Sequence, residues 1–401
     1  MKKRLIPRLS GLFHDPRAFW FMSLILLFGV AAGIVLGVLN NYLHEVLSIS
    51  KVERGAVELF RELPGLLLVV LISLLYRICE VRILRLAFLV SILGVVGLSL
   101  LGHIRWFAVL MIVLWSTGEH IFMPIRQSIA VHMAHQGKEG LALGASRSMR
   151  NTGQVIGFYL IPLLFLFIPF RDIVRQFQVS FVLAGTVLVI GFLISFRLRR
   201  DDRHIQRKRL YLRKKYTKYY VLELLFGARK QVFLTFAPYV LVVSYGIETQ
   251  IMALLYGIYS TINIFAAPLI GRFIDRWGYR IVIIIDTVLL VGLCLLYGFS
   301  HRMFSPTAAT YVVCFVFILD GVLFVAGIAR TVYAKTISTS KDELTSTLST
   351  GISINHLVSI AVALAGGLIW QELGVEALFL VAAAFGIGSF GYALTLPREA
   401  S

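Results

Sequence analysis

Apolar stretches long enough to cross a lipid bilayer follow one another along almost the whole chain. They run over about 18–43, 55–76, 83–103, 106–131, 145–169 and 176–196, and again over 230–247, 250–270, 281–299, 307–330, 345–369 and 375–396. A bilayer core takes about 20 predominantly apolar residues per helix. Inside it, backbone groups are satisfied only in helices and closed barrels, and runs of this length read as helices. Composition excludes a set of soluble domains: 58% of the 401 residues are hydrophobic and 15% charged, where soluble domains carry about 25% charged residues. The expectation is an all-α membrane protein with twelve transmembrane helices in two pseudo-symmetric six-helix bundles. Residues 1–196 form the first bundle, 197–229 a basic linker and 230–401 the second bundle.

Lys2, Lys3 and Arg4 precede the first apolar run in the manner of a signal peptide. That run is too long for a signal h-region and no A-x-A-like site ends it, so it reads as a retained first span.

A net charge of +18 would suggest nucleic acid in a soluble chain, but here its distribution is a topology signal. With the amino terminus inside, the inner segments hold 31 of the 39 basic residues. The outer connectors hold six, namely Lys51, Arg54, Arg105, Arg171, Arg175 and Arg302, and Arg61 and Arg126 fall within spans. Both termini are therefore expected in the cytoplasm, with the chain in the inner membrane and no nucleic-acid partner. Around 203–220 basic residues alternate with Leu, Tyr and Ile. That pattern fits a helix on the anionic inner leaflet and fits a solvated linker equally well.

The two halves read as repeats. Residues 74–85 align without gaps on 269–280, placing Glu80 on Asp275 and Arg85 on Arg280 at an offset of 195. Further on, Glu119 matches Asp320, Lys138-Glu139 matches Lys341-Asp342, and Asn151 matches Asn355, at offsets of 201 to 204. Parallel six-helix repeats are a transporter plan.

The segment Gly271-Arg-Phe-Ile-Asp275-Arg276-Trp-Gly278-Tyr-Arg280 resembles the G-x-x-x-D-R-x-G-x-R/K signature of the major facilitator superfamily. It lies between the eighth and ninth expected spans, one of that family's two places for it. The resemblance implies that this segment latches the state open to the outside. In chemical terms, Gly271 and Gly278 permit close approach and a tight turn. Asp275 can cap a neighbouring helix's amino end, and Arg276 and Arg280 can pair with acids. The copy between spans two and three is eroded, with Tyr76 and Ile83 at the glycine positions, while Glu80 and Arg85 remain. The fifth span, Asn151 to Pro162, lacks the Gly-Pro pairing and repeated glycines of the family's drug–proton antiporters.

Charges inside spans carry the functional expectations, since one at a helix centre costs roughly 2.5–3.5 kcal/mol on insertion scales. Glu119 and Asp320 are each fourteenth in their spans, hence near mid-membrane, on helices that the resemblance places against a central cavity. They are candidates for substrate or proton binding, or else buried salt bridges. Arg126 shares Glu119's face two turns on; it either attracts an anionic substrate group or snorkels to the inner surface. Glu58, Arg61 and Glu62 form an i,i+3,i+4 cluster near the outer mouth, ahead of a helix-bending Pro64. That cluster reads as a functional site or as a locally neutralised group at the interface. His356 with Asn355 lies near the middle of span eleven, where a histidine beside Asp320 would suit proton coupling. Asp286, on a helix that the resemblance puts at the periphery, reads as structural.

Other chemistry is not indicated. There is no G-x-x-x-x-G-K-[ST] for ATP, and His132-x-x-His135 has no H-E-x-x-H around it. The cysteines Cys79, Cys294 and Cys314 have no ligand spacing. No enzyme, metal or cofactor is expected. The sequence supports a secondary transporter, monomeric and in contact with membrane lipids. It would move a small-molecule substrate by alternating access, coupled to protons or another ion. Rival readings are a lipid or lysolipid flippase on the same fold and a non-transporting receptor or scaffold.

Overall fold

The computed structural model describes residues 11–67, 75, 78–167, 172–198 and 212–397, nearly all of them helical. Tyr76, residues 199–211 of the central loop, and the side chains of Lys341 and Asp342 lie outside the described residues. The described residues include seven helices long and apolar enough to cross a membrane. They fall into two compact units, each described by itself below.

The first unit comprises α1 (Ala18–Glu45), α3 (Glu80–Leu101), α4 (Arg105–Met133), α5 (Glu139–Phe167) and α6 (Ile173–Ser195). Residues 249–257 also belong to it. Helix α1 is apolar on every side, as a helix enclosed by others must be. Phe21, Leu24, Ile25, Phe28, Ile34 and Val35 are all inaccessible. It crosses α5 at backbone contact: a Cβ on Gly29 or Gly33 of α1, or on Gly153 or Gly157 of α5, would run into the facing main chain. Two glycine pairs spaced by four residues are the small-residue stripe that lets membrane helices approach closely. On the other side of α1, Phe28 stacks on Phe122 of α4, ring centroids 3.9 Å apart. These contacts fix the two helices that carry Glu119 and Arg150.

The second unit contains α2 (Lys51–Leu66), α7 (Thr217–Gln231), a π-helical segment Val232–Phe236 and α8 (Ala237–Tyr245). The rest of α9 (Thr249–Met303) follows, then α10 (Pro306–Leu323), a 3₁₀ turn (Phe324–Gly327), α11 (Ile328–Ile337) and α12 (Lys341–Leu394). Ser50 and Glu53 start α2 with a reciprocal capping box: Glu53 N–H donates to Ser50 Oγ (3.2 Å) and Ser50 N–H to Glu53 Oε2 (2.7 Å). The helix therefore opens at Lys51, four residues before the apolar run does, and Arg54 belongs to it rather than to an outer connector. Helix α7 likewise opens at Thr217, so residues 217–229, expected as linker, are helical and run on into the π segment and α8.

At about 1.5 Å per residue, α9 and α12 would each exceed 80 Å if straight, far beyond a bilayer core of about 30 Å. Each is broken at one glycine, Gly278 (φ 81°, ψ 157°) and Gly374 (φ 90°, ψ 173°), conformations almost reserved to glycine. The tight turn expected at Gly278 is thus present. The segment before it, Gly271 to Trp277, is helical rather than a loop, and Gly271 makes no close approach because a Cβ there would meet nothing.

Candidate functional site

In the first unit, α4 and α5 run antiparallel and pair polar residues at two levels. Arg150 of α5 forms an ion pair with Glu119 of α4 and donates to Gln154 Oε1 (3.1 Å). Two turns from Glu119 along α4, Arg126 donates through Nη1 to the carbonyl (2.9 Å) and hydroxyl (3.3 Å) of Ser146, one turn from Arg150 along α5. Glu119 and Arg126 thus share one face of α4, as their seven-residue spacing requires. Arg126 does not snorkel: it is 6% exposed.

The second unit carries two buried charge networks, and α7 supplies both. Its consecutive residues Arg229, Lys230 and Gln231 point about 100° apart and reach three different partners. Arg229 donates through Nη2 to Asp286 (3.1 and 3.3 Å) and through Nη1 to Asp320 (3.4 Å). Lys230 donates to Asn355 Oδ1 (2.6 Å), and Gln231 to Glu58 Oε1 (3.0 Å) and Thr235 Oγ1 (2.6 Å). The π segment follows directly, a distortion that is frequent at functional sites.

Around Glu58 the network is dense. Arg61 donates to both its oxygens (2.6 and 3.0 Å), Arg54 to Oε2 (2.9 Å), and Arg61 also to Glu62 (2.9 Å). His356 of α12 donates through Nδ1 to Glu62 Oε2 (2.8 Å). Asn355 reaches Glu223, which in turn accepts from Arg330 Nε (3.1 Å). Glu58 and Arg54 are 1% and 2% exposed, so the cluster is no interface decoration.

One expectation changes here. His356 is not beside Asp320; its ring is taken by Glu62, because α12 presents this turn to α2. Asp286, expected as structural, bonds to Arg229, which it shares with Asp320, so Asp320 faces the seam of α7, α9 and α10. Glu119 and Asp320 belong to different units and are brought together in neither. Sequence reasoning also passes over Arg150, Arg229, Lys230, Glu223 and Arg330, which fall in or beside expected connectors. The repeat offset could have found three of them: a shift of 199 carries the start of α1 at Ala18 onto Thr217, placing Glu223, Arg229 and Lys230 inside a span.

The signature residues pair as a symmetric set. Arg85 donates to the carbonyls of Ser195 and Leu198 (both 3.1 Å) at the end of α6, and Arg280 to that of Leu394 (2.7 Å) at the end of α12. Each basic side chain meets the carbonyl end of the last helix in its repeat, where the dipole favours a cation. Glu80 accepts from Ser128 (2.5 Å) and His132 (3.1 Å) of α4. Asp275 is exposed, and Arg276 lies 5.9 Å from the Trp277 ring. The amino end of α12 is capped by its own residues, Glu343 N–H donating to Ser340 Oγ (3.1 Å). The Thr339 hydroxyl and N–H donate to the Glu343 carboxylate and hold its pKa down at about 2, so it stays ionised at any physiological pH.

The sequence profile described as Major Facilitator Superfamily matches residues 2–158 and 219–401. The chain belongs to that superfamily. It is therefore a multi-pass membrane protein and a transporter rather than an enzyme. Solved superfamily structures share the fold at low identity. A point mutant of the nucleoside transporter NupG superposes with a TM-score of 0.75 at 14% identity, covering 94% of this chain and 99% of that one. A D-xylose–proton symporter gives 0.73 at 13%, covering 95% and 97%. A bacterial homologue of the human lysosomal transporter Spinster, inward-facing and occupied, gives 0.67 at 14%, covering 94% and 95%. No curated protein sequence matches the chain.

Proposed function

We propose that the chain moves a small solute across the cytoplasmic membrane by alternating access between two six-helix bundles, both termini inside, driven by protons or another ion. The observation that carries this reading is the triad of Arg229, Asp286 and Asp320. Two carboxylates share one guanidinium at side-chain exposures of 9% or less. With all three ionised the triad holds a net charge of −1 in a low-dielectric site, and binding one proton neutralises it. Helix ends support the alternating part. Residues 49–66 of the first repeat are packed into the second unit, and residues 249–257 of the second repeat into the first. On the expected topology these are outer ends, so each repeat lends an outer helix end to the other unit.

Reconstituted protein under an imposed proton gradient tests this. Uridine, xylose, dialanine and lysophosphatidylcholine make a first panel, since nucleosides and D-xylose name the substrates of structural neighbours. One class should accumulate, and a protonophore should abolish its accumulation; accumulation indifferent to the protonophore counts against proton coupling. Glu119→Gln leaves Arg150 without its carboxylate and is expected to abolish or uncouple transport at normal expression. Unchanged rate and pH dependence in that variant would remove Glu119 from the coupling path.

Asp275→Asn keeps the shape and removes the charge of an exposed residue, so stability should change by less than about 0.5 kcal/mol. Distances between spin labels on the cytoplasmic ends should instead show a larger inward-open population and turnover should slow. Identical distance distributions would speak against the latch.

A further inference from the structure

We propose that the α4–α5 face around Arg126 binds an oxyanion, a carboxylate or phosphate group, and, resting on the transport reading above, that the transported solute carries it. Arg126 is a buried cation with no ion-paired acid among the described residues. Among the described residues its hydrogen bonds go only to Ser146, and its Nε is buried with no partner. A guanidinium carries five donors and stays charged, so burying it against one serine leaves both charge and donors uncompensated, a costly state. Its electrostatic neighbours are Arg150 and Arg147, which repel it. Among the described residues, the guanidiniums of Arg126, Arg147 and Arg150 have one ion-paired carboxylate between them, Glu119, which Arg150 engages.

A second observation points to the same place. On α5, Gly144, Arg147, Ser148, Asn151 and Thr152 are all exposed. Arg147 is eight residues into that helix, about 12 Å from its start. Polar and charged side chains exposed on a membrane helix face water or a water-filled cavity rather than lipid. A Cβ at Gly140 or Gly144 would meet nothing, so the space beside this stripe is open. The stripe and Arg126 flank one helix turn, since Ser146, which holds Arg126, sits between Gly144 and Arg147. Guanidinium forks match carboxylate and phosphate geometry in two parallel bonds, and an anion here would supply the missing countercharge.

The test uses the purified full chain in detergent and follows thermal unfolding, because a ligand bound only by the folded state raises the melting temperature. Probes are inorganic phosphate and acetate against sodium chloride at equal ionic strength. A dihexanoyl phosphatidate is compared with the matching phosphatidylcholine. Phosphate or acetate should give a saturable rise of several degrees that chloride does not. Arg126→Gln should abolish that rise while leaving the unliganded melting temperature equal or higher, since it removes an uncompensated buried charge. Arg126→Lys and Arg147→Gln, which keep part of the charge, should reduce the rise. A rise with phosphatidate alone keeps the site but overturns the solute assignment in favour of a lipid headgroup. No anion-dependent rise, or one undiminished in all three variants, overturns the proposal. Transport of a neutral solute without any such rise would do the same and leave the transport reading standing.

Discussion

Arg229→Met is expected to cost about 3–5 kcal/mol of stability and to eliminate transport. The substitution leaves Asp286 and Asp320 buried with no cation between them. Both can be relieved only by taking up protons or opening the α7–α9–α10 seam to water. At roughly 2–4 °C per kcal/mol for a large domain, the melting temperature should fall by about 6 °C or more. Arg229→Lys should recover only part of this, since the three donors of an ammonium sit on one nitrogen and lack the planar fork and reach with which the guanidinium spans two carboxylates. Asp320→Asn behaves oppositely. It removes the surplus negative charge, keeps the Arg229–Asp286 pair, and should leave stability equal or higher while erasing the pH dependence of transport. Differential scanning fluorimetry and proton-driven uptake read both effects. A melting temperature for Arg229→Met within a degree of wild type would mean that water already screens the triad, and its part in coupling would fall with it.

Why that triad is only half visible in the sequence follows from what periodicity encodes. Hydropathy gives the depth of a residue and its rotation relative to neighbours on its own helix. Glu119 and Arg126 accordingly fall on one face, and the structure turns that face to α5. Hydropathy does not say which helix a face meets. Depth alone sets Asp320 beside His356, though each has a partner elsewhere, Arg229 and Glu62. The break at Gly278 is legible because a turn there needs a positive φ and the sequence puts glycine between charged residues. The start of α7 is illegible to an apolar window because Lys218, Glu223, Arg229 and Lys230 count individually as costs. In the folded unit Glu223, Arg229 and Lys230 are partnered by Arg330, by Asp286 with Asp320, and by Asn355. Local neutralisation lets a helix hold charges that transfer scales would reject. The same reason hides Arg54, which the rule of basic connectors assigns to the outside.

Arg61→Met is the second substitution with a large expected effect, and the role of Arg54 decides how it must be read. Considered as Glu58, Arg61 and Glu62 alone, the cluster has two acids and one base, and removing Glu58 together with Arg61 should return it to its original net charge of about −1. The structure adds Arg54, 2% exposed and bonded to Glu58. A Glu58→Gln/Arg61→Met double variant therefore also takes away the carboxylate that buried Arg54 donates to, and is expected to recover less. The compensating partner is Glu62. With Arg61 gone, Glu58 still accepts from Arg54 and Gln231, whereas Glu62 still accepts from His356. Glu62→Gln in the Arg61→Met background removes the carboxylate that has lost its guanidinium. It should return most of the lost stability and transport, with a coupling energy of about 1–3 kcal/mol between the two positions. The pairing also ties α2 to α12, since Glu62 bridges Arg61 and His356. Pro64, two residues on, weakens the backbone ladder just beyond that bridge, so the bridge rather than the helix backbone fixes the position of this end of α2. Equal behaviour of the two double variants would show that Arg61 acts on the cluster as a whole and not through Glu62. The bridge to α12 would then carry none of the conformational change.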